Sequence, residues 1–115
     1  MNLNQKHCAP CEGDYAPLEG AELQKYMEEV KDWAVIENKL PGGETIKKIK
    51  KEFKFKDFKE AMVFVNKVAN ISESEGHHPD IYIFYNRVNV ELWTHAIGGL
   101  SENDFILASK IDVCE

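Results

Sequence analysis

Long apolar runs are missing from this chain: nowhere do about 18 apolar residues follow one another, so no membrane-spanning helix is expected. The opening residues, MNLNQKHCAP, hold no apolar stretch of the kind a secretory leader needs. The expected compartment is therefore the reducing cytoplasm, where disulfides are uncommon. Cysteine is scarce and odd in number, three in 115 residues, which speaks against a disulfide framework. Positive charge is in deficit: 14 Lys and Arg against 20 Asp and Glu leave a formal net charge of −6. Non-specific nucleic-acid binding needs the opposite balance, because it rests on neutralising phosphates. No internal repeat and no low-complexity tract is present.

What is there fits one globular domain, with 43% apolar and 30% charged residues. Residues 1–16 read as an irregular, mobile arm carrying a C-x-x-C pair, and residues 17–115 as the folded domain. In LEGAELQKYMEEV, Leu23, Tyr26, Met27 and Val30 recur at helical spacing. A short strand is expected over 33–37, a turn at Pro41, Gly42 and Gly43, and a second strand over 45–55. Asp57 reads as an N-cap with Glu60 as its capping-box partner. The helix they open, over 58–74, carries Phe58, Ala61, Met62, Val65 and Ala69 on one face, widened by Phe64 and Val68. Gly76 ends it, and His78 is pushed to extended geometry by Pro79. IYIFY and VNVELW read as strands joined by Asn86-Arg87. Ser101 starts a last helix running to 113. The order α-β-β-α-β-β-α predicts an α+β fold, a four-stranded antiparallel sheet with three helices on one face.

Four groups of residues invite a chemical reading. His7, Cys8 and Cys11 form HCAPC, one ligand short of a structural zinc site and wrongly placed for a thioredoxin-like motif. A local disulfide or a shared metal stays open there, and Cys114 reads as a packing or surface thiol. Lys47, Lys48, Lys50, Lys51, Lys54, Lys56 and Lys59 form a basic run, read as the solvated face of an edge strand that discourages aggregation. Asp104, three residues after Ser101, has a structural explanation as a capping box. The histidines His77, His78 and His95 are the informative set, at loop positions where helix and strand ends meet. With Glu73 one turn before His77, they suit either a zinc site with an open position or metal-free proton transfer. Adjacent histidines diverge, which favours two jobs around one ligand over convergence on one ion.

At these residues the chain resembles the pterin-4a-carbinolamine dehydratases. The spacing Glu73-x-x-x-His77-His78-Pro79, five residues, Tyr85, nine residues, His95, eight residues, Asp104 is similar to that family's signature. Trp33, FKFKDF, YNRVNVEL, THAIGGLSENDF and LASKID agree as well, so the likeness spans about residues 18–113. The resemblance implies the α+β fold already read, and dimers through sheet edges or tetramers. It implies dehydration of a 4a-hydroxytetrahydropterin, such as the tetrahydrobiopterin derivative, with no cofactor and no metal required. His77 and His95 would donate protons near the 4a-hydroxyl, and His78 would bind the pterin and act as base. Glu73 and Asp104 would orient the histidines. The backbone of Gly76, His77, His78, Trp93, Thr94 and His95 would grip the pterin edge. Trp93 departs from the family, which often has a small residue there. Some relatives act instead as protein-binding modules, so a protein partner is the alternative expectation. A zinc hydrolase on the same histidines is the third.

Overall fold

The protein's structure, a computed structural model, describes residues 2–9 and 16–115. A 3-10 turn, Leu3–Gln5, precedes helices α1 (Gly20–Met27), α2 (Phe58–Glu75) and α3 (Glu102–Cys114). The strands are β1 (Ala34–Lys39), β2 (Thr45–Lys54), β3 (Asp80–Phe84) and β4 (Arg87–Leu92). The element order is the expected one. All neighbouring strands are antiparallel, in the sheet order β1-β2-β4-β3.

Period-two alternation supplies the buried face of the sheet: Val88, Val90 and Leu92 of β4 stand opposite Phe53, Lys51 and Ile49 of β2. The helices cover that face, with Ala61, Phe64 and Val68 of α2 and residues 105–108 and Ile111 of α3 in one core cluster. The centre of α2's buried stripe is thus Ala61, Phe64, Val68 and Ser72, while Phe58 and Ala69 face solvent. Helix α3 is apolar on nearly every side because α1, α2 and the Leu3 turn all pack against it. The expectation of an irregular arm meets a docked one over 2–9, where Leu3 is only 3% exposed. Cys11 lies outside the described residues.

Several boundaries move for physical reasons. The hairpin loop is Tyr85-Asn86 rather than Asn86-Arg87, because Phe84 pairs with Arg87 and Tyr85 takes the left-handed φ of +54°. Asp57 Oδ1 accepts the Glu60 amide as expected, but the Glu60 carboxylate reaches the Lys56 amide instead of closing the box on Asp57. The lysine-rich strand is corrected from edge to interior: β2 is paired on both sides. Its lysines are compatible with that place because carboxylates meet them. Lys47 binds Glu19, Lys48 binds Glu91 and Lys51 binds Asp112.

Candidate active site

Helix α2 ends where the histidines begin. Gly76 adopts φ +65°, its amide bonds to the Glu73 carbonyl, and the His77 amide bonds to the Ser72 carbonyl. This is the left-handed helix stop that glycine makes cheaply. It turns His77, His78 and Pro79 out of the helix axis and into β3. On the other side, β4 ends at Leu92, and Thr94 pairs with Gly99 through both backbone bonds, 2.7 and 3.3 Å. His95 opens the 3-10 turn His95–Ile97 inside that closed loop. The loop sits close to Pro17: a Cβ on Gly99 would lie 2.7 Å from the Pro17 Cβ, so no side chain fits there.

One cavity, about 380 Å³, gathers the predicted residues Gly76, His77, His78, Trp93, Thr94 and His95, together with Pro79, Asp80 and Ala96. That volume is in the range of small-ligand pockets. A larger hollow, about 500 Å³, lies elsewhere beside the arm, among Asn4, His7, Ile71, Glu75, Lys110 and Cys114. It brings together a single imidazole, whereas the smaller cavity holds three.

Asp104 lies behind the cavity wall, fully buried. Its Oδ1 is 2.6 Å from His77 Nε2, and its Oδ2 accepts Thr94 Oγ1–H at 2.8 Å and the Ser101 amide at 2.9 Å. The Ser101–Asp104 capping box is therefore present and does a second job. Ser101 Oγ and Thr94 Oγ1, 2.8 Å apart, complete the cluster; since Thr94 gives its proton to Asp104, it accepts from Ser101. A carboxylate only accepts, so neutral His77 carries its hydrogen on Nε2 and its lone pair on Nδ1. Glu73 does not line the cavity. Its Oε1 holds His78 Nε2 at 2.8 Å, on the solvent side, which leaves the lone pair on Nδ1 there too. His77 and His78 thus turn to different carboxylates, as divergent neighbours should.

His95 stacks on Trp93, with ring centroids 3.9 Å apart and planes 27° from parallel. Lys48 Nζ stands 5.5 Å from the indole centre. The indole Nε1 is buried with no acceptor among the described residues. Among those residues, no group of three or more His, Cys, Asp or Glu is arranged to hold a metal ion. Cys8 does not line the cavity, and its thiol is pushed up to about 12, first by burial and then by the negative charge of Glu75. A thiol held neutral is a poor nucleophile.

Sequence reasoning missed Asp80 on the cavity wall, and the side-chain roles of Thr94 and Ser101. Asp80 had a signal, standing directly after His77-His78-Pro79. The Thr94–Ser101 pair had only the capping box, which locates Ser101 and Asp104 but not the loop that meets them.

Comparison with known proteins shows the family. The sequence profile of the family described as Pterin 4 alpha carbinolamine dehydratase matches residues 16–114. A protein of Nitrosospira multiformis, named provisionally as a pterin-4-alpha-carbinolamine dehydratase, is 50% identical over 111 residues, covering 96% of this chain and 90% of its own. One of Chlorobaculum tepidum with the same provisional name is 41% identical over 110 residues, covering 96% and 95%. Among solved structures, a transcriptional coactivator/pterin dehydratase from Brucella melitensis superposes with a TM-score of 0.70 at 34% identity, over 85% of this chain and 97% of the other.

Proposed function

The chain belongs to the pterin 4 alpha carbinolamine dehydratase family, and on that premise we propose that it is a hydro-lyase of pterin recycling. It removes water from a 4a-hydroxytetrahydropterin to give the quinonoid dihydropterin. The observation that carries this reading is the single cavity lined by three imidazoles, two of them each held by its own carboxylate.

The chemistry needs two proton transfers. The bond from C4a to its hydroxyl breaks, and His77 or His95 gives the departing oxygen a proton so that it leaves as water. The N5 lone pair forms the new C–N double bond, and His78 takes the N5 proton. One proton enters from the acid and one leaves to the base, so exchange with solvent resets both. Asp104 holds the His77 ring and offsets the positive charge on it before transfer, and Glu73 does the same for His78. Backbone groups of Gly76 and Trp93 grip the pterin edge, those of Thr94 being taken up by Gly99 and Ile97, and the Trp93–His95 stack forms an aromatic wall. Each well-placed acid or base supplies about 10²–10⁴-fold.

The test is dehydration of a synthetic 4a-hydroxytetrahydropterin. His77→Ala and His95→Ala should each lose about 10²–10⁴-fold in kcat. If the wild-type protein gives no acceleration, or both variants match it, this function is wrong.

A second reading draws on one observation: the Brucella melitensis relative is titled a transcriptional coactivator as well as a dehydratase. This chain would then also bind a protein partner. We further expect self-association as a homodimer or homotetramer through the β3 edge, where Tyr82, Ile83 and Phe84 stand exposed in a row. Pull-down with native oligomer analysis separates the two: a stoichiometric foreign partner supports the binding role, and a pure homo-oligomer counts against it.

A further inference from the structure

Three consecutive arm residues join the two stretches of chain that carry the His77–Asp104 pair. On the α2 side stands Glu75, two residues before His77. Its Oε1 accepts the Cys8 amide at 2.7 Å, and its Oε2 lies 3.0 Å from His7 Nδ1. Lys110 Nζ of α3 approaches the same carboxylate at 3.7 Å. On the α3 side stands Asn103, immediately before Asp104. Its side-chain oxygen accepts the Ala9 amide at 2.9 Å, and its Nδ2 donates to the Ala9 carbonyl at 2.7 Å. The Cys8 thiol adds a long contact, 3.6 Å, to the Asn103 carbonyl. The Cys8 and Ala9 contacts are sheltered on the helix side, where the Glu75 side chain and Asn103 are each 6% exposed, whereas the His7 ring lies in solvent. Hydrogen bonds cut off from water hold geometry better than exposed ones.

The pair that the arm straddles is sensitive to distance. His77 hangs from the end of α2 and Asp104 belongs to the first turn of α3, so their 2.6 Å separation is measured across a joint between helices. A relative slide of about an ångström takes such a contact outside hydrogen-bond range. The amide and carbonyl of Ala9 and the amide of Cys8 are backbone groups one residue apart. They tie Glu75 and Asn103 to one short piece of chain.

We propose that residues 7–9 of the arm are a positioning clamp for the His77–Asp104 pair, binding Glu75 and Asn103 together across the α2–α3 joint. The inference rests on the acid–base reading of the cavity, in which His77 gives a proton to the leaving hydroxyl. It assigns the arm a role outside both redox and metal chemistry: Cys8 acts chiefly through its backbone amide, and His7 through the contact of its ring with Glu75.

Glu75→Ala and Asn103→Ala each release one side of the clamp without altering a residue that lines the histidine cavity. Lys6→Ala, which removes an exposed ion pair between the arm and Glu102, is the control. Ala9→Pro deletes the amide that Asn103 accepts and also restricts the backbone of Cys8, so it loosens the clamp from the arm side, and it serves if a helix substitution prevents folding. Two quantities are read: dehydration kinetics, and solvent exchange of the His77 imidazole N–H by NMR in the ligand-free protein. The clamp variants should lose about ten- to a hundredfold in kcat with KM near wild type. Their His77 N–H should exchange faster, and Lys6→Ala should change neither quantity. If kcat or the exchange rate stays at the wild-type value in the folded clamp variants, the clamp is overturned. A wild-type protein without dehydratase activity would sink the proposed function instead. The exchange measurement would then decide the clamp alone.

Discussion

Asp104 uses its two oxygens for two tasks, and the partners separate cleanly. Oδ2 closes the α3 capping box and takes Thr94 Oγ1–H, while Oδ1 faces His77. Thr94→Val should keep the shape and remove one donor, costing about 1–3 kcal/mol in urea unfolding. It should lower kcat more than it raises KM, because His77 loses a fixed partner rather than the cavity losing a wall. Asp104→Ala strands the His77 N–H, the Thr94 hydroxyl and the Ser101 amide together, and should cost about 3–5 kcal/mol. At this scale much of the site was legible. His77, His78 and His95 stand at chain ends that a period count locates, and Asp104 was found as a cap. Its contact with His77 was invisible to local rules, since nothing near Ser101 in sequence says which loop comes to rest against it. The role of the Thr94 hydroxyl was hidden for the same reason: its burial is decided by the Thr94–Gly99 bridge and by α3, not by its neighbours.

Elements were legible wherever one periodicity dominated. The α2 stop at Gly76, the start of α3 at Ser101 and the two strands of the hairpin all follow from local chemistry. The hairpin loop slipped by one residue because the Asn-first reading of the turn ignored Phe84, which pairs with Arg87 and leaves Tyr85 in the left-handed position. The loop over residues 94–99, by contrast, is fixed from outside, by Pro17. Gly99→Ala puts a Cβ 2.7 Å from the Pro17 Cβ and should destabilise by about 1–3 kcal/mol, with His95 displaced and kcat reduced. The arm gives an element-scale prediction in pH. Burial alone would raise the pKa of Glu75, but the Cys8 amide, His7 and Lys110 together outweigh it and hold it below the ordinary carboxylate range. A depressed folded value means that the stabilisation is complete above the ordinary range and fades as pH falls through the folded one. Hydrogen exchange at the Cys8 amide should therefore accelerate below about pH 4 relative to its intrinsic rate. Glu75→Gln should remove that dependence.

For the whole molecule, class and element order were readable, and strand order was not. Hairpin neighbours pair locally, but the β2–β4 pairing closes a loop of more than thirty residues and is chosen by the shared core of Ile49, Phe53, Val88 and Leu92. That pairing buries the lysine-rich strand in the sheet and leaves β3 at the margin. Ile83→Lys on that margin should shift the sedimentation coefficient from oligomer to monomer while leaving the circular dichroism spectrum unchanged, since charge on an edge opposes strand addition. An unaltered oligomer would move the interface elsewhere. The double duty of Asp104 then matters for populations of subunits. About 3–5 kcal/mol is a large share of the 5–15 kcal/mol that holds a domain of this kind together. A copy that loses this carboxylate is expected to be cleared by proteases before it can join an assembly. Inactive subunits of that origin would not accumulate beside working ones, so a cell carrying one damaged gene copy would make less of the protein but not a poisoned oligomer.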